Sequence, residues 1–136
     1  MSAVQFQHRR TMLAWARFIA VTSLVVLSAM AFAGSLSAHA RLEIEAVLST
    51  LKSSGCQFNR NGTWYSGPDA QAHLTKKLVY LADKDLIKSA EEFIDKAAST
   101  SSASGKPYRV RCGTAAAVDS QAWLQEQLKT LRAGKR

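Results

Sequence analysis

Cysteine and proline are both scarce in this 136-residue chain, with two of each. Two cysteines permit one intramolecular bridge, and their spacing is not that of a Cys-x-x-Cys redox motif. Cys56, Cys112 and His73 have no metal-ligand spacing, so no metal or other cofactor is expected. Two prolines and seven glycines exclude a collagen-like chain. Acids are few: 10 stand against 18 Lys and Arg, for a net charge of +8. The apolar share of 47% is too high for a disordered polar chain. The length excludes a multi-domain enzyme, a TIM barrel and a full dinucleotide-binding fold. The bases form no run, no aromatic-basic RNA signature and no helix-turn-helix pattern, so nucleic acid is not an expected partner.

The amino-terminal part has the design of an export signal. Residues 1–17 carry Arg9, Arg10 and Arg17 and no acid, and Phe18 to Ala33 carry no charge. Ser37-Ala38-His39-Ala40 then offers small residues before Arg41, as signal peptidase requires. Residues 1–40 therefore read as a signal peptide cleaved after Ala40, with Ala31-Phe32-Ala33 as a second site and Met1 or Met12 as the start. Arg9-Arg10 also resembles a twin-arginine signal, although Arg17 interrupts the approach to the apolar run. The uncharged run is short of the ~20 residues that span a bilayer. Retained, residues 18–38 would anchor the chain in the inner membrane. Removed, they leave 41–136 as one domain in the periplasm, which touches the membrane only transiently. Three of the 18 bases leave with the signal, so 15 face 10 acids and the remainder is +5. In the oxidising periplasm Cys56 and Cys112 are expected to pair, with a chain-entropy gain of about 4 kcal/mol.

The mature chain reads as α-β-β-α-α-β-α, an α+β fold with helices on a three-stranded antiparallel sheet. Ile44, Val47, Leu48 and Leu51 mark one face of a helix over 41–54 that Gly55 stops. Cys56 to Arg60 alternates, Asn61-Gly62 supplies a type I′ turn, and Thr63-Trp64-Tyr65 returns as the second strand. The sequon Asn61-Gly62-Thr63 is read as turn geometry. Ser66, Pro68 and Asp69 start a helix to about Ala82, with Ala70, Leu74, Leu78 and Leu81 inward. Ser89-Ala90-Glu91-Glu92 is a capping box ahead of Phe93, Ile94 and Ala97. Tyr108 to Cys112 is the third strand. Gly113 to Val118 is a connection, and Asp119 caps a helix with Leu124, Leu128 and Leu131 on one side. The bridge would tie the first strand to the third.

Short catalytic motifs are present only in fragments. Ser49-Thr50-Leu51-Lys52 has the Ser-x-x-Lys spacing of penicillin-recognising enzymes without their partner motifs. Ser104-Gly105-Lys106-Pro107 hints at a phosphate loop, but residue 100 is Thr and Pro follows the lysine.

Four blocks resemble the YfeK-like family of small exported bacterial proteins. They are Ser54-Gly55-Cys56-x-Phe58-x-Arg60-Asn61-Gly62-x-x-Tyr65, Ala72-His73-Leu74-x-x-Lys77, Ser89 to Asp95, and Ser101-Ser102-x-Ser104-Gly105-Lys106-Pro107-Tyr108. The resemblance covers nearly all of 43–131 and implies an envelope location in Gram-negative bacteria and a domain of unknown function. It brings no catalytic residue with it. The residues themselves point to a non-enzymatic module that binds a protein, a peptide or an anionic envelope component or polymer. Arg60, Tyr65, His73, Lys77, Lys106 and Tyr108 are its candidate binding surface. One alternative is a small hydrolase or transferase using His73 with a serine of the 99–104 loop. A third reading is a disulfide redox protein working through Cys56 and Cys112.

Overall fold

Residues 35–134, which the computed structural model describes, form four helices and a four-stranded antiparallel sheet. The elements are α1 (Ala38–Ser53), β1 (Gln57–Arg60), β2 (Thr63–Tyr65), α2 (Gly67–Asp83), α3 (Ala90–Ala98), β3 (Arg109–Arg111), β4 (Val118–Asp119) and α4 (Ser120–Ala133). Most of the expected export segment, including its apolar run, lies outside the described residues. Among those described, no helix is long and apolar enough to cross a membrane.

Local chemistry sets the helix ends. Ser37 caps α1 by accepting from the Ala40 N–H at 3.1 Å, so the helix begins three residues before Arg41 and contains the end of the expected cleavage motif. Ser66 caps α2 with Pro68 in the first turn, as its sequence implies. Ser89 accepts from the Glu92 N–H at 3.1 Å, but Glu92 Oε2 takes the Lys88 N–H at 2.9 Å. The reciprocal half of the capping box thus lands one residue early. Gly67 opens α2 against the last turn of α1, where a Cβ would stand 2.7 Å from the carbonyl oxygens of Leu51 and Lys52. Only glycine permits that approach.

The sheet order is β2-β1-β3-β4, one strand more than the three expected. The fourth was missed because two residues are too few to show an alternation. Gly113, at φ +58°, lies in the turn region by which the chain doubles back from β3. Asp119 does occupy the cap position of α4, but without a side-chain cap bond. Its carboxylate instead meets Arg109 Nε at 3.4 Å.

Most of the inward residues expected from periodicity form the core, while Ala70 and Leu131 pack against it half-buried. Ile44, Val47, Leu48 and Leu51 pack with Leu74, Leu78, Phe93, Ile94 and Leu124, and Ile87 fills the α2–α3 connection. α1 packs against the other three helices. A long-range ion cluster closes the bundle. Arg132 of α4 holds both carboxylate oxygens of buried Glu43 at 2.8 Å and reaches Glu91 at 2.5 Å. That contact, with a backbone bond, keeps the Glu91 carboxyl below its usual range.

Cys56 and Cys112 are bonded across the ends of β1 and β3, where Gln57 pairs with Arg111. The bridge spans 56 residues and so limits the unfolded chain strongly. Replacing both cysteines by serine should lower unfolding free energy by about 4 kcal/mol. Urea unfolding of the two proteins measures this, and a difference under about 1 kcal/mol would contradict the bridge's stabilising role.

Candidate functional site

The pleat of the sheet decides which side chains meet the helices. Alternation along β1 puts Cys56, Phe58 and Arg60 on one face and Gln57 and Asn59 on the other. Phe58 pairs with Tyr65 on one side and Val110 on the other, and Arg60 pairs with Thr63. Phe58 is buried edge-on against Trp123 of α4, so this is the helix-covered face. The open face carries Arg111, stacked 4.3 Å over Trp64 and bonded to Gln57. The inner face ends where the core runs out, at Arg60, Tyr65 and Tyr108.

α2 meets this end of the sheet with two residues one turn apart. His73 and Lys77 lie at i and i+4, beside the stripe of Leu74, Leu78 and Leu81. Arg60 Nη1 lies 2.6 Å from His73 Nδ1, and Nη2 donates to the Tyr65 hydroxyl at 3.3 Å. The guanidinium carbon stands 4.8 Å from the Tyr65 ring centre. Tyr108 is buried and meets the His73 ring edge to face, with centroids 6.4 Å apart. Lys77 Nζ lies 5.3 Å from the Tyr108 ring centre and donates to the Ala97 carbonyl at 2.6 Å.

Five of the six expected surface residues therefore converge: Arg60, Tyr65, His73, Lys77 and Tyr108. Lys106 does not join them. Its backbone closes the turn of the serine loop, accepting from Ser101 N–H and donating to Ser104 Oγ, and its side chain is exposed. Ser104 Oγ in turn donates to Asn61 Oδ1 at 2.6 Å, fastening the loop to the hairpin turn.

Two adjoining cavities open here. One, of about 340 Å³, is lined by Phe58, Ala70, Leu74 and Ser120, with Asn59 and Asp69 also on its wall. The other, of about 350 Å³, is lined by Lys77, Asn61, Thr63, Ser101, Ser102 and Ala103. Arg60, Tyr65, His73 and Tyr108 belong to both walls. The sequence does not mark Phe58, Leu74, Asp69 or Ser120 as site residues, because each already has a local role as core or helix start. The alternation of Phe58 with Arg60 was the available signal.

The electrostatics are one-sided. Among the described residues, no carboxylate lies within ion-pair distance of Arg60 or Lys77. Burial, followed by the charge of Arg60, lowers the pKa of Lys77. For His73, burial comes first and then the charges of Arg60, Lys77 and Lys76, all of which push it below the usual 6.5. A guanidinium can only donate, so Nδ1 is the acceptor and the neutral ring carries its proton on Nε2. That Nε2 is buried and has no hydrogen-bond partner among the described residues.

Residues 38–132 match the model of a family described as a family of unknown function, DUF5329. The chain is also similar to "Uncharacterized protein YfeK" of Salmonella typhimurium, at 40% identity over 75 residues. The match covers 54% of this chain and 61% of that relative's length. No solved structure matches. Both matches agree with the resemblance carried by the four residue blocks.

Because the folded state lowers the His73 pKa, the unfolded chain takes up this proton first as pH falls. The stability that neutral His73 contributes is therefore present above pH 6.5 and is lost as pH falls from that value through the lower pKa of the folded state. Melting temperature from pH 8 to pH 5.5 should fall more steeply for the wild-type chain than for His73→Gln. Parallel curves would contradict the assignment.

Proposed function

We propose, from the premise that the chain belongs to the DUF5329 family of unknown function, that it is a non-enzymatic binding module that captures an anionic group at the cleft between β1, β2 and α2. The observation that carries this reading is the meeting of Arg60 and Lys77 without a carboxylate partner among the described residues. Two cations held together in a half-buried place repel each other, and an anion seated between them would remove that repulsion. The Tyr65 hydroxyl adds a neutral donor on the wall that both cavities share.

The hydrolase alternative has less support. A histidine that activates a serine needs an unprotonated nitrogen facing the hydroxyl. Here that nitrogen, Nδ1, faces Arg60. Ser101 and Ser102 do line a cavity with His73, but the Ser101 Oγ accepts from the Ala103 N–H at 3.3 Å. A redox role for the bridge is likewise less supported, since Cys56 is buried at the end of the central strand pair.

An exported location fits the disulfide. Were a leader removed after Ala33, Ser37 and Leu36 would stay, and with them the α1 cap and an apolar contact to the core. Removal after Ala40 would cost both.

Isothermal titration with phenyl phosphate and with phenylacetate tests the reading. At least one should bind, more weakly as salt rises. Arg60→Gln and Lys77→Gln should each weaken binding about tenfold, the loss of one charge-assisted hydrogen bond, with far-UV dichroism unchanged. No binding by the wild-type chain, or equal binding by both variants, would overturn it.

A further inference from the structure

The two cavities differ in chemistry yet share a wall. On one side stand Lys77 and the serine loop. On the other stand Phe58, Ala70 and Leu74. Arg60 and His73 lie on the boundary. Resting on the anion-binding reading above, we propose that the site takes a small amphipathic anion: one carboxylate or phosphate head joined to an apolar body of about one ring or a short acyl chain.

Charge fixes the orientation. Lys77 lines only the polar cavity, and Asp69 lines only the apolar one. Asp69 repels an anionic head from the apolar side, while Arg60 and Lys77 draw it to the other. The body then lies against Phe58, Ala70, Leu74 and the Tyr108 ring. Its size follows from the space. A cavity of about 340 Å³ is at the small end of ligand sites, large enough for a ring and too small for a long lipid chain. The wall is also pre-formed. Phe58 and Leu74 are buried core residues, and Tyr108 is fixed through its backbone N–H to Ser99 O at 2.9 Å. A ligand therefore meets little ordering cost at this wall.

The experiment pairs heads with bodies. Phenylacetate is compared with acetate, phenyl phosphate with inorganic phosphate, and 2-phenylethanol serves as the uncharged body. Each is titrated into the full chain and into Ala70→Phe, whose added ring fills the apolar cavity from a half-buried helix position. In the wild-type chain the phenyl group should tighten binding at least tenfold over the bare head, and the alcohol should bind more weakly than either phenyl anion. Ala70→Phe should remove the phenyl advantage over the bare heads. The tighter of the two phenyl anions identifies carboxylate or phosphate as the head. Bare and phenyl-bearing anions binding alike would overturn the amphipathic inference and leave the anion reading standing. Silence from every anion would overturn both. Equal phenyl advantage in Ala70→Phe and wild type would overturn the placement of the body.

Discussion

The register of β1 is the constraint on which the rest of the molecule depends. This four-residue strand pairs on both sides, with β2 and with β3. Its inward residues, with Cys56 just before them, do three different jobs in five positions. Cys56 binds the strand covalently to the end of β3, Phe58 seats it in the core against Trp123, and Arg60 brings a cation to α2. A slip of one residue would turn all three to the open face. The disulfide and the buried ring resist that slip, and the charged end has no need to hold itself in place. The positive-φ pair Asn61 and Gly62 then returns the chain as β2, setting Tyr65 beside the guanidinium.

Burial and charge oppose each other at the far end of that strand. The core supplies low-dielectric surroundings, and into their edge the fold brings Arg60, Lys77 and a neutral His73. In a domain stabilised only for itself, a carboxylate would be expected among such cations, as Glu43 and Glu91 stand by Arg132 at the other ion cluster. The contrast between the two arginines is informative. Arg132 donates from each of its three nitrogens to acids of two other helices, so it is structural. Arg60 spends donors on a neutral nitrogen and a hydroxyl, and keeps its charge unneutralised.

Much of the scaffold was legible in the sequence because short-range rules governed it. The apolar spacing in α1 and α3, the Asn61-Gly62 turn and the Ser66 and Ser89 caps each depend on residues within a few positions. β4 was not legible, since two residues carry no period and its pairing depends on how Gly113 returns the chain. Neither was the need for Gly67, which arises from a helix end placed there by tertiary packing. The site followed the same division. Arg60, Tyr65, His73, Lys77 and Tyr108 could be singled out by type and position. Lys106 could not be told apart from them, because only the closure of the serine loop turns it outward. Contact between Arg60 and His73, 13 residues apart, depends on the angle at which α2 crosses the sheet. The two-chambered shape of the cleft depends on it as well.

The protonation state of the His73 ring tests the account most directly. The electrostatic reading of the cleft rests on a neutral imidazole whose Nδ1 accepts from Arg60 and whose Nε2 holds the proton. Long-range proton–nitrogen correlation on the ligand-free protein at pH 7 reads both nitrogens. An unprotonated, hydrogen-bonded Nδ1 and a protonated Nε2 are expected. A proton on Nδ1, in either the other neutral tautomer or the imidazolium, would contradict that reading.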